Sequence, residues 1–409
     1  MIRLFPILVA SQVSNMAPLI AFLVFADTVA FAGFIFIMLI GQLVLPVLTL
    51  RLDYQIQVEL QRSRQRYFMG LSLLLLGVFC AVLLPVALLM PDPDGRWPWA
   101  LAYGAALSLQ GIVRAYAVAR QRGVAAFEMS NTAKNAVALG LSAVVPGPAI
   151  AALFVIANLV HGVVSVGYLG VVIGGRVRLR MLDRLWRAPR RSFLRARKIL
   201  TFSFPNSFIG MATGRLPLIA IEAMLPAGVA SGFLAANRLA LSPLNFLVAA
   251  LRIVGLIEVN KRRADIPNRF RLLVVAVFGS APILMAPLLF PGFLAPLVRG
   301  FDPSWEAALD YLPIMYPWAV TFLCAGWLDR VFDALGTQHR IFMIEVSMLA
   351  VMTAVSALIW AGTLAGTGAL MVVSLVSAGH SLAWVGAFFY GEARPAGGPA
   401  GRMAERGGR

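Results

Sequence analysis

The sequence RVRLRMLDRLWRAPRRSFLRARK, residues 176–198, carries ten Lys or Arg against one acid, Asp183, and lies between two long, almost uninterrupted apolar stretches. Positive charge is retained on the cytoplasmic side of a membrane protein. A basic segment between two hydrophobic halves therefore reads as a cytoplasmic linker, 174–198, joining two bundles of membrane helices. Leu179, Met181, Leu182, Leu185 and Trp186 alternate with its arginines, which suits an amphipathic helix on the inner leaflet as well as a plain tether.

Composition agrees with a chain that spans a membrane. Of 409 residues, 60% are hydrophobic and 13% charged, and the mean hydropathy is +0.83. Soluble domains carry about twice that share of charge. The net charge of +17 does not point to nucleic acid, because the cations recur in short clusters between apolar runs instead of forming one patch. Loops facing anionic lipid account for them. Cys80 and Cys324 both sit inside apolar runs, far from any Cys or His at ligand spacing, so no disulfide, metal site or cofactor is expected.

A spanning helix needs roughly 20 apolar residues. On that measure six spans precede the linker, near 4–25, 29–50, 67–90, 98–118, 128–146 and 149–173, and six follow it, near 199–225, 229–255, 271–295, 310–330, 341–362 and 366–390. The expected fold is all-α, with twelve transmembrane helices in two six-helix bundles, 1–173 and 199–390. Loop charge tests this count independently, because cations should fall in alternate loops. Arg51, Arg62, Arg64 and Arg66 follow span two; Arg114, Arg120, Arg122 and Lys134 surround the turn after span four; Lys261, Arg262, Arg263, Arg269 and Arg271 follow span eight. Arg330 and Arg340 follow span ten, and Arg394, Arg402, Arg406 and Arg409 fill the tail. The opposite loops are short and acidic, with Asp27, Asp92, Asp94, Asp302 and Glu306. Both termini are thus expected inside. The start, 1–26, reads as a retained helix because Gln12, Ser14, Asn15 and Pro18 interrupt what would be a uniform signal core. The tail, 391–409, is rich in Gly, Ala and Arg without apolar periodicity and reads as disordered.

The halves repeat each other weakly. At an offset of 199, Gly33, Phe34, Glu59, Arg62 and Arg64 match Gly232, Phe233, Glu258, Lys261 and Arg263; at 219, His161, Val166 and Gly167 match His380, Val385 and Gly386. Both sets pair helix two with eight and six with twelve, as a parallel duplication related by a pseudo-two-fold requires.

An ionisable side chain deep in a bilayer is costly and usually faces a cavity or a partner. Arg215 and Arg238 lie 11 and 12 residues either side of the hairpin tip at Pro226, which at 1.5 Å per residue puts both roughly 17 Å deep. Two arginines at one depth on adjacent helices offer planar, permanently charged donors to a phosphate or pyrophosphate; the alternative is that each is neutralised locally and fastens helices together. Glu222 shares a face with Arg215 and reads as the acid most deeply held, a candidate for proton or sodium coupling or a simple counter-ion, since Glu345 falls near the end of its span. In the first half Gln12, Ser14, Asn15, Asn158 and His161 are the main polar residues inside spans, suited to sugar hydroxyls or to interhelical hydrogen bonds. Prolines within spans, among them Pro18, Pro46, Pro205, Pro217, Pro243, Pro282 and Pro317, supply bending points.

Three stretches carry a family resemblance. Phe31 to Leu60, with AGF near its start and TLRLDYQIQVEL at its end, resembles the oligosaccharide flippases of bacterial polysaccharide synthesis. The pattern recurs in ASGFLAANRLALSPLNFLVAALRIVGLIEVNKR, where a Gly-Phe, the intramembrane pair Asn237-Arg238 and a Pro lead into a basic exit. RGFDPSWEAALDYLPIMYPW, with Gly300, Phe301, Trp305 and Ala307, is similar to the family's turn before helix ten. The resemblance spans about residues 10–390 and extends to the superfamily that also holds multidrug extruders and peptidoglycan-precursor flippases. It implies a multi-pass protein of the bacterial inner membrane that moves a polyprenyl-pyrophosphate-linked oligosaccharide to the outer leaflet by alternating access. Asn237 would join Arg215 and Arg238 at the substrate.

The rival within the superfamily is a multidrug or organic-cation antiporter. Such a pump would display an acid inside the first bundle, and the spans as drawn put no Asp or Glu deep there. A membrane glycosyltransferase or polymerase needs a sizeable reactive loop, and the longest outer connection, near 295–310, is short and poor in such residues. A scaffold without transport leaves the two costly arginines unexplained.

Overall fold

Lipid offers the backbone no hydrogen-bond partners, so an apolar chain of this length must satisfy its peptide groups within helices. The computed structural model describes residues 5–53, 56, 62–91, 94–120, 123–171, 201, 204–261, 268–298, 300–328 and 338–392, and no strand occurs among them. The linker 174–198 lies outside the described residues, as does the expected tail apart from Gly391 and Glu392, which close the last helix.

The first six expected spans appear as α1 (Phe5–Ser14) with α2 (Ala17–Phe25), then α3 (Thr28–Thr49), α4 (Arg62–Leu89), α5 (Arg96–Arg120), α6 (Val124–Ser142) and α7 (Ile150–Val171). The second six appear as α8 (Phe204–Met224), α9 (Ala227–Lys261), α10 (Asn268–Met285), a short helix α11 (Pro291–Val298), α12 (Pro303–Leu309) with α13 (Leu312–Ala325), α14 (Gln338–Trp360) and α15 (Gly366–Glu392). The first span breaks at Asn15 and Met16, just before Pro18 in the first turn of α2, where a missing N–H costs nothing. The tenth bends by 60° between α12 and α13. Asp27 caps α3 by accepting from Ala30 N at 2.7 Å, and Asp302 caps α12 by accepting from Ser304 N at 2.9 Å.

Among the described residues seven helices are long and apolar enough to cross a membrane, or eight with the bent pair counted as one span. The other four expected spans, α5, α6, α8 and α9, are helical but carry charge: Arg96 and Arg114, Glu128 and Lys134, Arg215 and Glu222, and Arg238. Lys134 therefore belongs inside the fifth span, not to the turn after span four as hydropathy alone placed it.

Packing repeats between the halves. In the first, α5 contacts α3, α4 and α7, α6 contacts α7, and α1 lies on α6; in the second, α13 contacts α9, α10 and α15, α14 contacts α15, and α8 lies on α14. Equivalent helices also match in exposure: the third and ninth spans are each only 17% buried, and Val82, Val86 and Leu88 on α4, like Leu272, Val275 and Ile283 on α10, are exposed apolar residues suited to lipid. By contrast α3 is 61% buried, because it packs on α5 and also against α8 and α9 of the other half. Its contact with α5 is made through glycine. A Cβ at Gly41 would fall 2.8 Å from Ala100 O, and one at Gly104 would fall 2.7 Å from Gly41 O. The two helices touch backbone to backbone.

Candidate functional site between the two halves

Because α3 is pinned to α5 at Gly41 and Gly104, the neighbouring side chains Gln42 and Tyr103 form a firm wall of the first half. The second half brings Arg215 and Arg238 to that wall. Arg215 Nε and Nη2 both donate to Gln42 Oε1, at 3.0 and 2.7 Å, and Nη1 donates to Met211 O at 3.3 Å. Arg238 lies within electrostatic reach of both Arg215 and Tyr103, and its buried Nε has no hydrogen-bond partner among the described residues. Asn237 is buried, with its Nδ2 likewise unpartnered. Among the described residues the side-chain acceptor for these two cations is one neutral amide oxygen, Gln42 Oε1.

Toward the acid-bearing ends the halves are joined. Trp305 Nε1 donates to Ala26 O at 3.0 Å, Thr28 N to Ser304 Oγ at 3.0 Å, and Thr28 Oγ1 to Ser231 Oγ at 3.4 Å. Arg96 pairs with Glu222 and rests over the Phe36 ring, 4.4 Å from its centroid. Phe22, Phe31, Phe34 and the fully buried Trp305 stack beneath, with centroids 5.3 Å apart along the series. Glu222 is therefore part of a closure between the halves and does not stand with the arginine pair.

The acids held inside the bundles are others. Glu128 on α6 is buried, accepts from Ser11 Oγ at 2.6 Å and pairs with Arg114 Nε at 2.7 Å. Glu128 stands close to the start of α6, at the edge of the expected span five, and turns inward to Ser11, a serine that hydropathy treats as neutral. Glu345 on α14 is also buried, with Oε1 shared by His380 Nε2 at 2.9 Å and Trp384 Nε1 at 3.2 Å. It stands near the start of the apolar span Phe342–Trp360, as expected, although α14 itself begins earlier, at Gln338.

The neutral candidates Ser14, Asn15, Asn158 and His161 meet polar residues of α6. Asn131 Nδ2 reaches Ser11 Oγ and Asn15 Oδ1, and Asn135 Nδ2 reaches Ser14 Oγ and Asn15 Oδ1, at 3.0–3.3 Å. Lys134 Nζ donates to Asn131 Oδ1 and Asn158 Oδ1, both at 2.8 Å, and Gln110 Nε2 donates to Asn158 Oδ1 at 3.1 Å. His161 Nε2 meets Ser130 Oγ at 2.9 Å. Gln12 lies a turn before the α1–α2 break, its carbonyl accepting from Asn15 N. This network ties α1, α5, α6 and α7 together, apart from the arginines.

No protein-family model matches the chain, and no curated protein does. Solved structures do match. The inward-facing conformation of a multidrug resistance MATE family transporter of the MOP superfamily covers 93% of this chain and 93% of its own, at 13% identity and a TM-score of 0.63. The outward-facing conformation of a multidrug resistance MATE family transporter covers 95% and 93%, at 13% identity and 0.54. A MOP superfamily transporter from Pyrococcus furiosus, described as having a binding pocket of reverse polarity, covers 95% and 93%, at 12% identity and 0.55. The chain has the fold of these transporters.

Proposed function

We propose that this chain is a transporter working by alternating access, whose two bundles, 1–173 and 199–390, rock about the closure seen here, and that its substrate is anionic: a polyprenyl-pyrophosphate-linked oligosaccharide moved from the cytoplasmic to the outer leaflet of a bacterial inner membrane. The carrying observation is the pair Arg215 and Arg238, set between the halves with the neutral Gln42 oxygen on one and an unpartnered Nε on the other. A charge held inside a membrane protein is normally compensated, so two arginines whose side-chain acceptor among the described residues is a neutral amide favour a ligand that brings negative charge. Asn237 stands beside them with a free donor. The joined acid-bearing ends, outer by the distribution of loop charge, together with the higher score against the inward-facing relative, support an inward-open resting form.

A second reading, an organic-cation or multidrug antiporter, is favoured by the buried Glu128 and by the multidrug transporters among the structural neighbours. Either reading needs a driving ion, a proton or sodium, and Glu128 and Glu345 take precedence over Glu222 for that role because they are held within the bundles. Proteoliposomes separate the substrates. A fluorescent polyprenyl-pyrophosphate disaccharide should cross the bilayer with the protein present, and tetraphenylphosphonium should not be moved. The reverse result selects the antiporter.

A further inference from the structure

The Nε–Nη2 edge of a guanidinium is the edge that grips phosphate or carboxylate oxygens in pairs. In Arg215 both of its N–H groups converge on one atom, Gln42 Oε1, a neutral acceptor supplied by the opposite half. We propose that Gln42 is a stand-in for the substrate's anion: a phosphate, pyrophosphate or carboxylate that takes this edge must displace Gln42, and the displacement frees α3 from α8.

This inference rests on the anionic-substrate reading above and adds to it a means by which binding alters the closure. An ionised acceptor bonds a guanidinium roughly twice as strongly as a neutral one, so the exchange is favourable when an anion arrives, while water finds the amide already in place. Gln42 itself cannot follow the arginine, since α3 is held to α5 by the backbone contact at Gly41 and Gly104. Arg238, whose buried Nε has no hydrogen-bond partner among the described residues, provides the second grip once the anion is in. In the empty protein the amide helps keep the outer closure shut; in the loaded protein that contribution is withdrawn.

Two substitutions at Gln42 should act in opposite directions, which a merely structural role would not produce. Gln42→Ala removes the competitor, and Gln42→Glu supplies a permanent one. Binding is measured with farnesyl pyrophosphate, with inorganic pyrophosphate and farnesol as controls that separate a lipid-borne anion from a free one and from the lipid tail. Closure is read by maleimide labelling of Ser231→Cys in a full chain whose Cys80 and Cys324 are replaced by serine. Relative to the parent, Gln42→Ala should bind farnesyl pyrophosphate about fivefold more tightly, as expected for one net hydrogen bond no longer broken, and should label without ligand. Gln42→Glu should bind at least tenfold more weakly, a charge-assisted pair now being the competitor, and should label more slowly. If both variants bind and label as the parent does while Arg215→Ala loses binding, the stand-in role is wrong and the anionic site survives. If the parent binds neither pyrophosphate, the anionic reading falls and this inference with it.

Discussion

Arg96, at the start of α5, and Glu222, near the end of α8, form an ion pair that joins the two halves of the chain at their acid-bearing ends. Both side chains are largely shielded, at 23% and 10% exposure, so salt screens the pair less than a surface pair. Asp94 adds a second carboxylate, 3.6 Å from Arg96 Nε. Glu222→Gln should raise maleimide labelling of Ser231→Cys from outside. The charge reversal Arg96→Glu with Glu222→Arg should restore the parental rate, and continued fast labelling in the double variant would remove the pair from the closure.

Within the first bundle, Arg114 and Glu128 are unequally buried, at 44% and 3% exposure of the side chain. Arg114 can hydrate if its partner goes; Glu128 cannot. Arg114→Ala should therefore destabilise the protein by about 3 kcal/mol, as for a buried charge left unpaired. Glu128→Gln keeps an acceptor for Ser11 and should cost about 1 kcal/mol. Thermal unfolding in detergent compares them, and equal losses would count against this account of the network.

The seam between α3 and α5 leaves no room for a methyl group. Gly41→Ala and Gly104→Ala meet backbone oxygens at 2.8 and 2.7 Å, and each should cost about 1–3 kcal/mol through forced separation of the helices. Gly33→Ala on the same helix meets open space and should be neutral or stabilise by up to about 1 kcal/mol. Melting temperatures of the three variants would check the contrast.

Asp302 lies in the connection before α12, where its carboxylate accepts from Ser304, whose hydrogen bonds hold its pKa below the ordinary carboxylate value. A depressed folded-state pKa gives stability that is present above the unfolded pKa, near 4, and lost as pH falls through the folded value. Ser304 Oγ also receives Thr28 N, so protonation loosens a joint between the halves. Protection of residues 303–309 against hydrogen exchange, relative to the intrinsic rate at each pH, should fall below about pH 4, and in Asp302→Asn that protection should be the same on both sides of that pH. A pH step retained in the variant would have another source.

Much of the architecture was legible because lipid makes length and apolarity strong signals. Span two was expected at 29–50 and is Thr28–Thr49; span six was expected at 149–173 and is Ile150–Val171. What escaped was the direction in which polar side chains turn. Lys134 and Glu128 stand near a cation-rich turn, and hydropathy assigned one to that turn and left the other at a span edge; their partners Asn158 and Ser11 come from helices distant in sequence. Glu222 was read against Arg215 on its own helix, whereas its cation, Arg96, lies 126 residues away. Gln42 went unremarked, although a lone amide inside so apolar a helix meets the same rule that singled out Asn158.

The central claim is that the arginine pair receives the pyrophosphate of a lipid-linked sugar. Its most direct test is the leaflet distribution of polyprenyl-pyrophosphate oligosaccharide in cells lacking this protein, complemented by the parent chain or by Arg238→Ala at equal protein level. The account predicts inner-leaflet accumulation that the parent relieves and Arg238→Ala does not. An unchanged distribution in the deleted cells, with tolerance to organic cations lost instead, would contradict it.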